Sequence, residues 1–416
     1  MNGPAGAREH GDSPALRRTI GFWFLVLYGM GTMVGAGFYA LSGKVAGQAG
    51  MHAPLAFGIA GLLALFSALA FAELSSRLPH AGGSARYLEA AFGRKWISAL
   101  TGWAIITTGI VSAATLALAT IRFVGDFAAV PHDPAVVALT LVLGGIAAWG
   151  VRQAVGVVVG ISLIQIGALL YVAAAAGGAP ANDGGDPLAL LPPLDATAWS
   201  GILGAAFLAF YAFIGFEDMV NMAEEVRDVR RALPRAVVLS LVLTAGLYML
   251  VSSALVLNVS PAALAEANTP LAEAVRHHGP VAVAAIGIVS ILSAVNSALV
   301  QLVMVARVAY GMANRGYAPA WLGRIGRRTR TPWLATVLAT GAVALLAVSL
   351  DLTTLANVTS GVLLAVFVAV NLGLWRIKGL PRDRRPEGPF SLPRTLPLIG
   401  AAVSAAALVF KLLQSI

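Results

Sequence analysis

The sequence has no cysteine, few charged residues and only six histidines, and each of these shortages excludes a class of function. Without cysteine the chain has neither a disulfide framework nor a thiolate metal site, and thiol chemistry is excluded. Charged residues make up 11% of the chain against 58% apolar residues, and the mean hydropathy is +0.82. Soluble globular proteins do not approach this composition, so the sequence predicts an integral membrane protein.

Motifs of ATP-driven pumps and intramembrane enzymes are also missing from the sequence. The nearest approach to a phosphate-binding loop, Ser42-Gly43-Lys44-Val45, has neither the glycine spacing nor the hydroxyl after lysine. The histidines lie near segment ends or in loops, so no metal-binding pair falls within an apolar run. We therefore expect a protein that is not an enzyme and that carries no cofactor and no metal.

Long apolar runs dominate what is present. Hydropathy and helix-breaking residues predict eleven membrane-spanning helices, called spans one to eleven below. Their predicted bounds are 20–47, 53–77, 95–125, 134–151, 153–176, 199–225, 235–257, 280–313, 332–350, 352–375 and 394–414. Runs of about 18 to 25 residues suit helices, whereas the strands of a membrane β-barrel need only about 10. The first run lacks a small-residue cleavage pattern, so we expect it to remain as span one.

Positive charges fall on one side of the predicted membrane. Of the 28 Lys and Arg, 24 lie in the N-terminal tail or in every second connection, which places the N-terminus in the cytoplasm. This topology accounts for the net charge of +9, so no nucleic-acid partner is expected. We expect a multi-pass protein surrounded by the lipid bilayer of a plasma membrane, the inner membrane of a bacterium.

A loop rich in Gly, Pro and Asp divides the first ten spans into two sets of five. Because five is odd, the second set enters the membrane upside down, which is a transporter architecture. The sequence thus predicts an all-α integral membrane protein with two inverted repeats of five helices and one extra C-terminal helix. The predicted parts are a cytoplasmic tail (1–19), a first repeat (20–176), an outer loop (177–198), a second repeat (199–375), a basic cytoplasmic loop (376–393) and an eleventh helix (394–416).

The leading helix of each repeat is predicted to be broken. Span one contains four glycines between Gly29 and Gly37, and span six carries an interruption at 211–218 at a similar depth. Each interior glycine costs a helix roughly 1 kcal/mol relative to alanine, and backbone freed inside a bilayer must find a partner. Close helix packing is the alternative reading, because Gly31 and Gly35 form a small-xxx-small pair.

Broken helices offer charges of both signs without a charged side chain. Carbonyls freed within 29–32 and 211–214 suit an ammonium group, and N–H groups at the start of the second half of span one suit a carboxylate. Such a site matches a zwitterion, and free α-amino acids are the commonest small zwitterions. The predicted substrate-binding residues are Thr32, Met33, Gly35, Ala36, Gly37, Tyr211, Phe213 and Ile214.

A few polar side chains are candidates for coupling or gating. Glu217 either caps the second half of span six or carries a proton, with Asp218 a weaker candidate. Glu73 at the end of span two is expected in an ion pair or gate latch. Span eight carries Ser290, Ser293 and Ser297 on one face, where the hydroxyls either bond back to their own helix or help to coordinate Na+.

At this point the chain resembles the amino acid, polyamine and organocation (APC) transporter family over about residues 20 to 395. The resemblance rests on the motifs Gly31-Thr32-Met33-Val34-Gly35-Ala36-Gly37-Phe38, Ala72-Glu73-Leu74-Ser75-Ser76-Arg77-Leu78-Pro79 and Phe213-Ile214-Gly215-Phe216-Glu217. It implies a ten-helix inverted-repeat core that works by alternating access. It also implies that the substrate carboxylate binds span-one amides and that its ammonium binds carbonyls of spans one and six.

By position, the resemblance assigns further roles to single residues. Tyr211 and 213–214 resemble the family's substrate-covering region, and Glu217 resembles an acid linked to proton coupling in some members. Several relatives have a lysine in span five where this chain offers Gln165, which weakens the case for that form of proton coupling. Many members also have twelve spans where this sequence predicts eleven, which leaves open both the family's usual dimer contacts and the oligomeric state.

The sequence therefore predicts a secondary active amino acid transporter that works by proton symport or exchange. The proton is the expected coupling ion and Na+ is less favoured. Neutral substrates are favoured, because the pocket spans offer Thr107, Thr108 and Ser112 and no midplane carboxylate apart from 217–218. The alternatives are a cationic amino acid or polyamine transporter, with the acid at 217 as counter-charge, and a channel, which the pseudo-symmetric halves disfavour.

Overall fold

The structure is a computed structural model that describes residues 20–79, 83–149, 155–176, 187–223, 225–326, 331–381, 383 and 385–414. Across these residues the regular structure is helical apart from one isolated β-bridge. Nine helical segments there are long and apolar enough to cross a membrane, and Phe22–Met33 and Trp333–Ser349 are shorter apolar helices. The predicted all-α integral membrane protein is confirmed. The predicted tail 1–19 and residues 177–186 of the predicted outer loop lie outside the described residues.

Every predicted span corresponds to helical structure. Span one consists of helix 1a, Phe22–Met33, and helix 1b, Ala36–Ala49. Span six begins with helix 6a, Ala196–Ala209, and continues as the 3-10 segments Phe210–Phe213 and Phe216–Met222. The remaining spans, in chain order, are Ala53–Arg77, Lys95–Val124, His132–Trp149, Val155–Ala176, Val229–Asn258, Pro280–Asn314, Trp333–Ser349, Leu352–Lys378 and Thr395–Gln414. Short helices at Gly83–Phe92, Pro261–Glu266 and Pro270–Ala274 lie in the connections.

Local sequence explains where several spans begin. Asp195 caps helix 6a by accepting the Ala198 N–H at 2.9 Å, and Asp351 caps span ten by accepting N–H groups from 353 and 354. Span two has Pro54 in its first turn and span eight begins at Pro280, where the missing N–H has no helical partner to lose. These signals place the ends of the helices, and packing then fixes their arrangement.

The two halves pack symmetrically. Span two packs on span seven, span three on span eight and span four on span nine, so three helices of the first repeat meet their counterparts in the second. Helix 1a packs on span seven, and helix 6a packs on span two in the same way. The contacts of span three with span nine likewise match those of span four with span eight. Exchanging the halves therefore reproduces this pattern of contacts, as expected of two repeats of one unit.

The leading helices of the two halves run in opposite directions. At the start of span one, the Ile20 N–H donates to the Glu225 carbonyl at 3.1 Å and the Ile20 carbonyl accepts the Arg227 N–H at 3.0 Å. This bridge joins the beginning of span one to the chain just beyond span six. Helix 1b packs against helix 6a, so the middle portions of the two spans also meet. Opposite directions are what an odd number of spans per repeat requires.

Candidate functional site

The first break separates helices 1a and 1b. Helix 1a ends at Met33, and the next residue, Val34, donates its N–H to the Met30 carbonyl at 2.6 Å. Gly35 then takes an extended ψ of −171°, and helix 1b begins at Ala36. No side chain of the described residues caps helix 1b, and the first N–H groups of a helix have no acceptor within it. Helix 1b therefore presents bare N–H groups at the break, at the predicted position.

The second break lies at Ile214 and Gly215. Helix 6a passes into a 3-10 turn, and Ile214 becomes extended with a ψ of 132°. Gly215 has a φ of +129°, a region that glycine enters freely and side chains avoid. The Glu217 carboxylate accepts the Gly215 N–H at 2.9 Å and so stabilises this turn from its far side. Both predicted helix breaks are thereby confirmed.

The two breaks touch each other. The Thr32 hydroxyl of helix 1a lies 2.9 Å from the Gly29 carbonyl and 3.2 Å from the Gly215 carbonyl. A Cβ atom added at Gly215 would lie 2.8 Å from the Thr32 carbonyl oxygen, closer than real contacts allow. One location thus combines the carbonyl end of helix 1a, the N–H end of helix 1b and the unwound backbone of span six.

Tyr248 of span seven contacts both breaks and is not among the residues predicted from sequence. Its hydroxyl lies 2.7 Å from the Met33 carbonyl and 3.0 Å from the Ala212 carbonyl, and the side chain is fully buried. The sequence does contain a signal for this residue, because a tyrosine hydroxyl deep in an apolar run needs an acceptor and broken helices supply acceptors. That signal indicates that Tyr248 must bond to some acceptor, but not which carbonyls it contacts.

Several of the carbonyls predicted to be free already have protein donors. Gly29 accepts from the Thr32 hydroxyl, Ala212 from the Tyr248 hydroxyl, and Tyr211 from the Ile214 N–H at 3.2 Å. A carbonyl oxygen has two lone pairs, so each of these groups can accept a second hydrogen bond. The break is therefore an organised set of acceptors held in place by the protein's own donors.

The glycines of span one also pack closely, so the alternative reading describes part of their role. A Cβ atom at Gly37 would lie 3.0 Å from the Ala212 Cα, and a side chain at Gly31 would overlap Ser162 of span five. A Cβ atom at Gly35 would lie 2.7 Å from the Ser297 hydroxyl oxygen. The same run both interrupts the helix and lets three other spans approach its backbone.

Gln165 connects span five to two neighbouring helices. Its side-chain amide donates to the Ser293 hydroxyl at 2.9 Å, and its main-chain carbonyl accepts a hydrogen bond from the Tyr39 hydroxyl of helix 1b at 2.8 Å. Ser290 bonds back to the Ile286 carbonyl of its own helix, whereas Ser297 faces Gly35. The three serines on one face of span eight thus have three different surroundings.

The aromatic candidates of span six lie inside the helix bundle. The Tyr211 hydroxyl lies 2.8 Å from the Ser112 hydroxyl of span three, and Phe213 is fully buried with its ring edge against Tyr248. Thr107 does not belong with them, because its side chain is exposed and its hydroxyl bonds to the Trp103 carbonyl. The prediction that Thr107 faces the pocket is therefore wrong.

Glu73 is the centre of a buried charge cluster at the end of span two. Both oxygens are used: Oε1 accepts from Arg77 at 2.6 Å and from Lys378 of span ten, and Oε2 accepts the Leu392 N–H at 3.0 Å. Arg77 also donates to the Pro386 carbonyl at 2.7 Å. The cluster therefore ties the chain between spans ten and eleven onto span two, and none of its members belongs to either break.

A separate groove of about 480 Å³ opens between the adjoining ends of spans three and eight. None of the predicted site residues lines it. Its acid and base are already engaged, because Asp126 accepts from Asn268 at 2.9 Å and Arg276 pairs with Glu273 at 2.6 Å. The two breaks, where polar backbone converges inside the bundle, are the candidate functional site.

A multi-pass helical membrane protein in which two antiparallel broken helices meet at one place has the architecture of a transporter. The family model described as "Amino acid permease" matches residues 20–414, and the chain belongs to that family. The comparison covers both repeats, both breaks and the eleventh span, and it confirms the resemblance drawn from the motifs.

Relatives of two kinds match over most of the chain. An uncharacterized transporter of Mycobacterium tuberculosis is 34% identical over 98% of this chain and 92% of its own length. The mitochondrial cationic amino acid transporter 3 of Arabidopsis thaliana is 28% identical over 91% of this chain and 66% of its own length. Human cationic amino acid transporter 4 is 30% identical over 90% of this chain and 62% of its own length.

Proposed function

We propose that this protein is a secondary active transporter of free amino acids that works by alternating access, by proton symport or by exchange. We place it in a bacterial inner membrane with its N-terminus in the cytoplasm. The observation that carries the proposal is the meeting of the two breaks, where Thr32 contacts Gly215 and Tyr248 contacts carbonyls on both sides. Family membership supports the same function.

The bound amino acid in this proposal uses both ends of the broken helices. Its carboxylate accepts hydrogen bonds from the N–H groups of Gly35, Ala36 and Gly37, where the helix dipole adds roughly half a positive charge. Its ammonium donates to carbonyls at the end of helix 1a and in the turn before Ile214. Each pairing is charge-assisted on the substrate side, which strengthens it relative to a neutral hydrogen bond.

Neutral side chains remain our first choice of substrate. The Glu217 carboxylate is already engaged by the Gly215 N–H, which reduces what it can offer to a cationic side chain. The second candidate is a cationic amino acid, favoured by the names of the plant and human relatives. Glu217 would then act as counter-charge through its other oxygen.

The deciding experiment is counterflow into proteoliposomes preloaded with alanine, leucine, lysine, arginine or putrescine, each with and without Na+ and a pH gradient. We expect the neutral amino acids to drive counterflow, independently of Na+. Counterflow with lysine and arginine alone selects the second candidate, and counterflow with putrescine alone contradicts a site built for a zwitterion. Conductance without exchange would instead indicate a channel.

Coupling is assigned to Glu217 as proton carrier, because Gln165 is neutral and its amide already donates to Ser293. That contact also occupies one of the two lone pairs of the Ser293 hydroxyl, which a Na+ site on span eight would use. Glu217→Gln is expected to keep the bond from the Gly215 N–H and to keep counterflow, while losing accumulation driven by a pH gradient. The matched control is Glu89→Gln, which removes an acid outside the breaks. If Glu217→Gln still accumulates substrate when driven by a pH gradient, a group other than Glu217 carries the coupling proton.

Gly35→Val tests the N–H end of the proposed site. The branched side chain meets the Ser297 hydroxyl, 2.7 Å from a Cβ atom at this position, and covers the first N–H groups of helix 1b. We expect uptake of the best substrate of the panel to be abolished while the protein still elutes as a single species in detergent. Gly341→Val in span nine, where a Cβ atom meets nothing within 4 Å, is the control. Normal uptake by Gly35→Val would contradict the assignment of the carboxylate site to the start of helix 1b.

A further inference from the structure

Tyr248 is held rigidly by its ring. It stacks on Phe38 with ring centroids 4.3 Å apart and an angle of 13° between the planes. The ring edges of Phe57 and Phe213 approach it at centroid distances of 5.7 and 5.2 Å. With aromatic neighbours from spans one, two and six, the ring has little freedom, so its hydroxyl has a fixed position between the two breaks.

The hydroxyl has one proton and two acceptors within reach. Met33 is the last residue of helix 1a, and Ala212 lies in the 3-10 turn just before the second break. A shift of either carbonyl away from Tyr248 lengthens a contact of 2.7 or 3.0 Å and weakens it. The hydroxyl therefore resists a separation of the two carbonyls.

Thr32 makes a second connection of the same kind. Its hydroxyl lies between the Gly29 carbonyl of its own helix and the Gly215 carbonyl of span six. The two hydroxyls come from different spans, and both join backbone of one break to backbone of the other. Neither hydroxyl is charged, so neither competes with the charged groups of the substrate for an oppositely charged partner.

We propose that Tyr248 and Thr32 are positioning residues that fix the separation between the carboxylate-binding and ammonium-binding halves of the amino acid site. This inference rests on the proposed function and specifies what sets the selectivity of that site for a zwitterion. In an α-amino acid one carbon separates the two charged groups, so both can bind only at one spacing of the breaks. A molecule with a single charged group binds one break and is indifferent to the spacing.

The test is Tyr248→Phe, which keeps the ring contacts and removes only the hydroxyl. Inhibition of counterflow is measured with alanine and lysine, with their α-carboxamides, which keep the α-ammonium and lose the α-carboxylate charge, and with their Nα-acetyl forms, which keep the α-carboxylate and lose the α-ammonium charge; the side-chain ammonium of lysine is the same in all three forms. For whichever amino acid is the substrate, we expect the inhibition constant to rise about tenfold, the size expected for a lost buried hydrogen bond. The constants of its two derivatives are expected to change less than about twofold, since each uses one break.

Tyr87→Phe is the matched control, because the Tyr87 side chain is also buried but its hydroxyl has no hydrogen-bond partner among the described residues. It is expected to keep the wild-type constants. Thr32→Val is expected to repeat the selective loss, and Thr32→Ser, which keeps the hydroxyl, is expected to restore most of the affinity. If Tyr248→Phe is not recovered as a folded protein, the comparison of Thr32→Val with Thr32→Ser decides the question.

The inference is overturned if Tyr248→Phe loses affinity equally for the amino acid and both derivatives, or loses none. Where that protein is not recovered, the same two outcomes in Thr32→Val overturn it. A hydroxyl that only stabilises the fold does not discriminate among the three compounds. Failure of the proposed function is visible separately. In that case the wild-type protein itself shows no counterflow with any amino acid, before any variant is compared.

Discussion

Gly215→Ala is expected to abolish transport. The backbone of Gly215 has a φ of +129°, and forcing a side chain into such a conformation costs on the order of 1 to 3 kcal/mol. The new methyl would also lie 2.8 Å from the Thr32 carbonyl oxygen, which is backbone and cannot rotate away. The two breaks must then separate, so we expect counterflow to fall by at least about a hundredfold, equivalent to roughly 3 kcal/mol.

Gly246→Ala in span seven is the control for this substitution. It lies two residues from Tyr248, but a Cβ atom there meets nothing within 4 Å, and alanine favours a helix by roughly 1 kcal/mol. We expect wild-type counterflow from this variant and an equal or higher thermal midpoint. Wild-type transport by Gly215→Ala would mean that the two breaks need not touch, and the proposed site would lose its basis.

The positions of the breaks could be predicted because they depend on local composition. A glycine run such as 29–37 disfavours a helix wherever it occurs, and the matching interruption at 211–218 follows from comparing the halves. The 3-10 form of Phe216–Met222 and the positive φ of Gly215 could not be predicted in this way. Gly215 lies directly against Thr32, and this tertiary contact is not visible in local composition.

The error at Thr107 has a simple geometric cause. Thr107 lies one turn from Trp103, on a side of span three where Leu100 and Trp103 are also exposed, whereas Thr108 is turned about 100° away from it. Thr108 is buried, and Ser112, one turn further, lies on the same face and meets Tyr211. Composition identified polar residues in span three, but the rotation of that helix is set by its packing on spans eight and ten.

The donors that bond to the carbonyls at the helix breaks also could not be predicted from the sequence. The need for donors at a broken helix can be foreseen, but the Tyr248 hydroxyl is 215 positions away from Met33 in the chain. Only the packing of span seven against helix 1a brings them together. The expectation that the carbonyls would be free was therefore too simple, and part of the site is already occupied by internal donors.

Glu73→Gln is expected to destabilise the protein strongly. Glu73 is fully buried, and its carboxylate is bonded to Arg77 and Lys378, whose side chains are 4% and 6% exposed. Replacing the acid by its neutral isostere leaves two buried cations side by side without a counter-charge. Breaking a buried ion pair in this way typically costs about 3 to 5 kcal/mol. In detergent we expect the thermal midpoint to fall by on the order of 3 to 6 °C.

Glu273→Gln provides the comparison, since Glu273 also pairs with an arginine, but Arg276 is 73% exposed. A solvated pair of this kind contributes about 0 to 1 kcal/mol, so its loss should leave the midpoint nearly unchanged.

A local readout separates the loss of the Glu73 cluster from a general weakening of the fold. Glu73 holds the Leu392 N–H and Arg77 holds the Pro386 carbonyl, so chymotrypsin should cut after Phe390, which lies between these two contacts, faster in Glu73→Gln. Equal midpoints and equal cleavage in both variants would mean that the buried charges do not depend on this carboxylate, and that the chain between spans ten and eleven is held by its apolar contacts alone.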